Sequence, residues 1–229
     1  MSSEYQVHHA KNRTDLSDQD LDSIAAIISV AFRAKFAHVG LNDDQTTQLN
    51  KAHILDDIRH PKNVYLVARR TSDGTIAGVC ELLVPTVTTG QAESAKKHDP
   101  EEHLKQFTKT LGFLHRMRVG KLRMVLSDDQ EKELVSGEAY VKAIAVDSEF
   151  RGKGIGNMLL AHAHAMVAGL GFTSISLHVA ANNRRAKQLY ERVGYVEDAE
   201  KSVMKSGERA YCRFFVGEDG FYYLTKSFS

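Results

Sequence analysis

The stretch from Ile144 to Gly156 (Ile-Ala-Val-Asp-Ser-Glu-Phe-Arg-Gly-Lys-Gly-Ile-Gly) narrows the folds open to this chain more than any other. Its apolar beginning reads as a buried strand. The strand breaks into a turn carrying Gly152, Gly154 and Gly156, and an amphipathic stretch from Asn157 to Gly169 follows as a helix. Strand, glycine turn and helix in that order aim several backbone N–H groups, and the positive end of the helix, at one point. Glycines let the main chain close on a bulky anion with no Cβ in the way. The segment is therefore expected to cradle a phosphate.

Three kinds of glycine loop compete for it. A P-loop needs Gly-x-x-x-x-Gly-Lys-Ser/Thr, which no window of the chain supplies. The dinucleotide fingerprint needs Gly-x-Gly-x-x-Gly, with an acidic residue about 20 positions on. Here the loop reads Gly-x-Gly-x-Gly, and Ser174 to Val179 holds neither Asp nor Glu. The remaining pattern, Arg/Gln-x-x-Gly-x-Gly/Ala, is met by Arg151, Gly154 and Gly156. It resembles the pyrophosphate-binding loop of the GNAT superfamily, the acetyl-CoA-dependent N-acetyltransferases. A second motif lies downstream. Ser174 to Val179 alternates as a strand, Asn183 stands where a helix N-cap belongs, and the helix from Arg184 stops at Gly194. Asn183, Ala186, Leu189, Tyr190, Gly194 and Tyr195 resemble the GNAT signature Asn-x-x-Ala-x-x-x-Tyr-x-x-x-Gly-aromatic. The resemblance covers residues 138–196 strongly and the rest by topology.

It implies an α/β fold with a mixed, mostly antiparallel central sheet, splayed between strands 4 and 5, and helices on both faces. One domain is expected over 1–229, with a helical insertion at 85–137 between strands 3 and 4. The first strand is expected at Tyr5 to Ala10. A helix follows from a Ser17/Asp20 capping box, with Leu21, Ile24, Ala25, Ile28 and Phe32 on one face. A second helix is expected from Thr46 to Arg59, after a linker, Lys35 to Asp44, that lies on the acceptor side in that family. Asn63 to Arg69 and Ile76 to Val84 read as a hairpin turning at Asp73-Gly74. Within the insertion, helices are expected at Glu101 to Arg118 and Leu122 to Val135, interrupted near Gly120, as a flap over the acceptor cleft or a dimer contact. Its basic cluster, Arg116, Arg118, Lys121 and Arg123, reads as a solvated face or as a lure for an acidic group. Phe221 to Phe228 and Tyr211 to Val216 supply further strands, with Lys201 to Arg209 as a loop.

The resemblance also implies chemistry: transfer of an acetyl group from acetyl-CoA, as cosubstrate, directly to an amine in a ternary complex. The diphosphate would be held by the amides of Gly152, Lys153, Gly154, Ile155, Gly156 and Asn157, with charge from Arg151 and Lys153. Backbone groups of Ile144, Ala145 and Val146 would pair with the pantetheine arm, and the Val146 N–H would face the thioester oxygen. Asn183 would cap its helix and touch CoA. Tyr190, two helical turns beyond Asn183, would protonate the leaving thiolate; the structural alternative makes it a core aromatic. Deprotonating a lysine-like amine of pKa near 10.4 costs about 4.6 kcal/mol at pH 7, against about 1.1 for an α-amine near 7.8. The base candidates are Glu138 at the start of strand 4, His178 in strand 5, and Tyr140 beside Glu138 on one strand face. Tyr140 with His178 resembles the Tyr/His pair of one class of protein N-terminal acetyltransferases.

Composition bounds the alternatives. A net charge of +1 argues against nucleic acid as a partner. No run of about 18 apolar residues is present to span a membrane, and Met1 to Lys11 lacks a signal-peptide core. Cys80 and Cys212 sit in apolar stretches as reduced core residues, so a cytoplasmic location is expected. No metal is expected: His162 and His164 diverge on a helix, and His-Glu-x-x-His is absent. The leading expectation is an N-acetyltransferase acting on a small-molecule primary amine. A protein or peptide acetyltransferase and a non-catalytic CoA sensor stay open, as does a homodimer, common in that family.

Overall fold

The computed structural model describes residues 4–33, 36, 40–85, 102–126, 134–202 and 220–228, the side chains of 118 and 121–126 excepted. Strand β1 (Tyr5–Ala10) leads to α1 (Asp18–Ala31), whose capping box forms as expected. Ser17 Oγ accepts the Asp20 N–H at 3.1 Å and the Asp20 carboxylate accepts the Ser17 N–H at 2.9 Å. The same device, Asn42 with Gln45, starts α2 at Asp43, ahead of the expected Thr46, and α2 runs to Asp57. Strands β2 (Asn63–Arg70) and β3 (Ile76–Leu83) form the expected hairpin, with Gly74 at φ +74° in its turn. Then come α3 (Glu102–Thr110), α4 (Phe113–Leu126), β4 (Glu138–Val146), α5 (Ile155–Gly169), β5 (Ser174–Ala180), α6 (Arg184–Arg192), β6 (Val196–Glu197), α7 (Ala199–Ser202) and β7 (Phe221–Ser227).

The strands form one sheet in the order β1-β2-β3-β4-β5-β7-β6. Its β4–β5 pair is parallel, and the other pairs are antiparallel. Strands β2 and β3 are apolar on both faces because helices cover both. On one face Leu66, Cys80, Leu82 and Val141 pack against Ile155, Leu159 and Ala163 of α5. On the other, Tyr65, Val67 and Val79 meet Leu21, Ile24 and Ile28 of α1 and Ile54 of α2. Each such buried aliphatic chain contributes about 1.5–3 kcal/mol. Cys80 is buried, as expected, and burial first, then the Glu81 charge, raises its thiol pKa.

The insertion departs from expectation. Its first helix ends at Thr110 and the break falls at Leu111-Gly112, while Gly120 lies inside α4. A lone helical glycine costs only about 1 kcal/mol, so it does not stop a helix by itself. Leu104 and Phe107 of α3 pack on Leu49 and Ala52 of α2. Asp56 of α2 caps the start of α3, accepting the His103 N–H at 3.0 Å and the Leu104 N–H at 2.9 Å. These helices are thereby fastened to α2. Lys201 and Ser202, expected in a loop, belong to α7; the expected strand at Tyr211 to Val216 and Cys212 lie outside the described residues, as does most of 127–135.

Candidate active site

After β4 the chain turns through a short 3-10 segment, Ser148–Phe150, in which Asp147 Oδ1 accepts the Glu149 N–H at 2.8 Å. The Phe150 ring anchors this turn, buried edge-on against Tyr5 at 6.1 Å. Arg151 Nε donates to the Val146 carbonyl at 3.3 Å, and Lys153 Nζ stands 5.2 Å over the Phe150 ring. Gly152 and Gly154 both take left-handed backbone, φ +83° and +81°, the conformation glycine adopts freely. Gly154 is the N-cap of α5, and with no side chain it caps no amide. The N–H groups of Ile155, Gly156 and Asn157 thus point out of the helix end with no intrahelical acceptor. The helix starts at Ile155, earlier than the expected Asn157, because the left-handed turn ends at Gly154 and helical backbone begins directly after it. Arg151, Gly152, Lys153, Gly154 and Asn157 are exposed, while Ile155 is buried as the anchor of the first turn.

The expected splay is visible in the register. Strands β4 and β5 pair from Glu138↔Ser174 to Val141↔Leu177 and no further. Strand β4 continues beside β3 to Val146↔Gly78, and β5 beside β7 to Ala180↔Phe221. From Lys142 and His178 onward the two strands have parted, and the edge through Ile144, Ala145 and Val146 is open to an extended partner. The glycine turn lies at the wide end of this gap.

Tyr190 stands on the α5–α6 side of it. Asn183 Oδ1 accepts the Ala186 N–H at 3.2 Å and starts α6, and Gly194 ends it at φ +93°. The Tyr190 ring is buried, edge-on to Tyr195 at 5.8 Å. Burial first, and the Cys80 charge second, push its phenol pKa up, so the hydroxyl keeps its proton at neutral pH.

The opposite face brings the other sequence candidates together. The Tyr140 hydroxyl and His178 Nδ1 are 2.7 Å apart. The His178 ring lies edge-on to Tyr223, centroids 4.8 Å apart. The Tyr223 hydroxyl is 2.6 Å from Glu138 Oε1 and 2.8 Å from Ser176 Oγ; having one proton, it donates to the carboxylate and accepts from the serine. Glu138 Oε2 accepts the Val135 N–H at 3.0 Å. Glu138 is therefore enclosed, at the end of β4 still zipped to β5, whereas His178 is the first residue past the zipped part.

A third cluster escaped the sequence reading. Lys142 Nζ lies 2.6 Å from Asp57 Oδ1 and 2.5 Å from Glu81 Oε1, and Tyr65 donates to Asp57 Oδ2 at 3.0 Å. A His53 ring nitrogen and the Asp57 and Glu81 carboxylates lie within 4.8 Å of one another. These donors would suit a small cation, and the Lys142 ammonium supplies one. Burial pushes the Asp57 carboxyl up, but Lys142 and His53 outweigh it and hold it below the usual range. Burial, with the Asp57 charge added and Lys142 opposing, holds Glu81 above it. The signal was a lone acid inside the apolar run Ile76 to Val84 and a lone lysine inside Ala139 to Val146.

The chain matches the acetyltransferase (GNAT) family over residues 29–195, and it belongs to that family. It is 34% identical over 67 residues to an uncharacterized N-acetyltransferase, YycN, of Bacillus subtilis, covering 29% of this chain and 43% of that one. It is 38% identical over 65 residues to the ribosomal protein bS18-alanine N-acetyltransferase of Salmonella typhimurium, 28% of this chain and 44% of the other. The match thus spans less than half the length of these relatives. The fold is similar to that of PaiA N-acetyltransferase from Thermoplasma acidophilum in complex with coenzyme A, with TM-score 0.55 and 14% identity over 97% of this chain and 99% of that one. It is also similar to a mutant form of spermidine N-acetyltransferase from Vibrio cholerae, with TM-score 0.53 and 16% identity over 99% of this chain and 95% of that one. None of the described helices is long and apolar enough to cross a membrane.

Proposed function

We propose that this chain, as one domain over 1–229 with its insertion at 85–137, is a cytoplasmic N-acetyltransferase carrying acetyl from acetyl-CoA to a primary amine of a small molecule. The observation that carries the reading is the parting of β4 from β5 with a bare helix N-terminus at its mouth. The residues fit CoA: the αL glycines and the uncapped amides of α5 suit a diphosphate, and the unpaired edge of β4 suits a pantetheine amide. Bound there, the thioester supplies an activated acetyl group. Val146 offers its N–H to developing negative charge on the carbonyl oxygen. Tyr190, a phenol protonated at neutral pH, gives a proton to the departing sulfur. His178, held by Tyr140 at the apex, takes a proton from the nitrogen once it has attacked. Arg151 and Lys153 add charge at the rim, and Asn183 positions α6 beside the gap. Glu138 fixes Tyr223 against β5 rather than facing the gap.

A panel of alkylamines, polyamines and peptide N-termini with acetyl-CoA, followed by thiol release, tests the reading. Acetylation of a small amine is expected. The Tyr140–His178 pair favours peptide α-amines as the second reading, and turnover confined to peptides would install it. CoA binding with no thiol release from any amine would leave a non-catalytic module.

A further inference from the structure

An alkylammonium acceptor must lose a proton before its nitrogen can attack, and His178 and Tyr190 are assigned to later transfers. The Lys142 cluster lies level with the point where β4 and β5 part. Lys142 has no register partner on either side. The β3 register passes from Leu82↔Val141 to Glu81↔Ala143, and the β5 register stops at Val141. Lys142 therefore stands level with His178, where the strands part, and on the strand face of Glu138 and Tyr140, where it meets Asp57 and Glu81.

The two carboxylates are not equivalent. Asp57 accepts hydrogen bonds from Lys142 and Tyr65, whereas buried Glu81 Oε1 meets Lys142 Nζ at 2.5 Å as an ion pair. Two buried anions against one ammonium leave a net negative charge, which low-dielectric surroundings relieve by binding a proton. Asp57 stays ionised and fixes the lysine, so the proton goes to Glu81. The groups facing Glu81 are His53 and Asp57 of α2, Tyr65 of β2 and Lys142 of β4. Exposed His53 links the cluster to solvent. Glu138 lies apart from this cluster, its oxygens bonded by the Tyr223 hydroxyl and the Val135 N–H.

Resting on the acetyltransferase reading, we propose that the ionised Glu81 carboxylate, positioned by Lys142 and Asp57, accepts the first proton of an alkylammonium acceptor. The balance closes. The nitrogen gives one proton to Glu81, forms the C–N bond as the C–S bond breaks, and gives its second proton to His178, while Tyr190 protonates the sulfur; His178 then loses its proton to solvent and Tyr190 regains one. Glu81 then releases its proton to solvent past His53.

The test is the pH dependence of kcat/KM for the best alkylamine of the panel, in wild type and Glu81→Gln, between pH 6.5 and about 9.5. At pH 7 a loss on the order of 10²-fold is expected. It should stay level up to about pH 8, where wild type too waits for Glu81 to ionise, and shrink several-fold per pH unit above that as solution supplies the free amine. A merely structural role predicts a deficit that does not shrink with pH, and that result overturns the proposal, as does no deficit. Should Glu81→Gln fail to melt cooperatively, Glu81→Asp serves, with a smaller deficit of the same pH dependence expected. Wild-type turnover of α-amines alone overturns this proposal but leaves the enzyme reading; no wild-type turnover of any amine removes both.

Discussion

Gly154→Ala isolates the backbone of the proposed phosphate cradle from its packing. A Cβ built at Gly154 meets nothing within 4 Å, so the substitution adds no clash inside the protein. What it adds is strain, because φ is +81° and an L-residue held there costs about 1–2 kcal/mol. Two outcomes are open to the free protein. If the turn keeps its left-handed backbone, the whole cost appears in unfolding, and Tm falls by about 2–8 °C at about 2–4 °C per kcal/mol for a chain of this size. If the turn relaxes, Tm holds and the cost moves into binding, weakening CoA about 5–30-fold. In either case the one cost reaches the CoA-saturated protein, which must be less stable than saturated wild type by about 1–2 kcal/mol. Gly156→Ala is the control. Its φ is not positive, its Cβ meets Leu189 Cδ2 at an ordinary 3.4 Å, and alanine favours helix by up to about 1 kcal/mol. Saturated Gly156→Ala should be as stable as wild type or more so. Thermal melts with and without excess CoA, and calorimetric titration of each variant, give every quantity. Equal stability of CoA-saturated Gly154→Ala and wild type would refute the role of the left-handed turn.

Two further substitutions probe the other parts. Tyr190→Phe should lower kcat by on the order of 10²-fold with CoA affinity nearly unchanged, because it removes a proton and little volume; steady-state kinetics with CoA calorimetry decide, and an unchanged kcat ends its role as acid. At Gly78 an added Cβ would stand 2.9 Å from the Ala145 carbonyl oxygen and 3.2 Å from Ile155 Cγ2. Gly78→Ala should therefore cost about 1–3 kcal/mol in denaturant melts by forcing α5 from the sheet, and wild-type stability would show that α5 does not pack this closely.

Much of this architecture was legible because its signals are local. The Ser17/Asp20 cap, the Gly74 turn, the Gly152–Gly154 turn and the Asn183 cap with its Gly194 stop each depend on a few consecutive residues, and each formed where expected. The Asn42/Gln45 cap was equally local but passed over, which misplaced the start of α2. Gly120 misled because one glycine is weaker than the packing around it, Val119 being buried beneath α3 and α2. In the candidate site, Tyr140 and His178 were paired by resemblance and meet at 2.7 Å. The Asp57–Glu81–Lys142 cluster was illegible as a unit. It joins residues from α2, β3 and β4, and no local spacing tells which residues of α2 come to lie over Lys142. Glu138 stands at the start of β4 as expected, but its place along the strand cannot tell that Tyr223, far downstream in the chain, closes over it.

The central claim, that the bare start of α5 grips a diphosphate while β4 receives the adjoining arm, is tested most directly by amide chemical shifts in a CoA titration. The largest changes are expected at Gly152 to Asn157, with a second group along Ile144 to Val146. Saturable CoA binding that leaves both groups unmoved, with changes elsewhere on the surface, would contradict it.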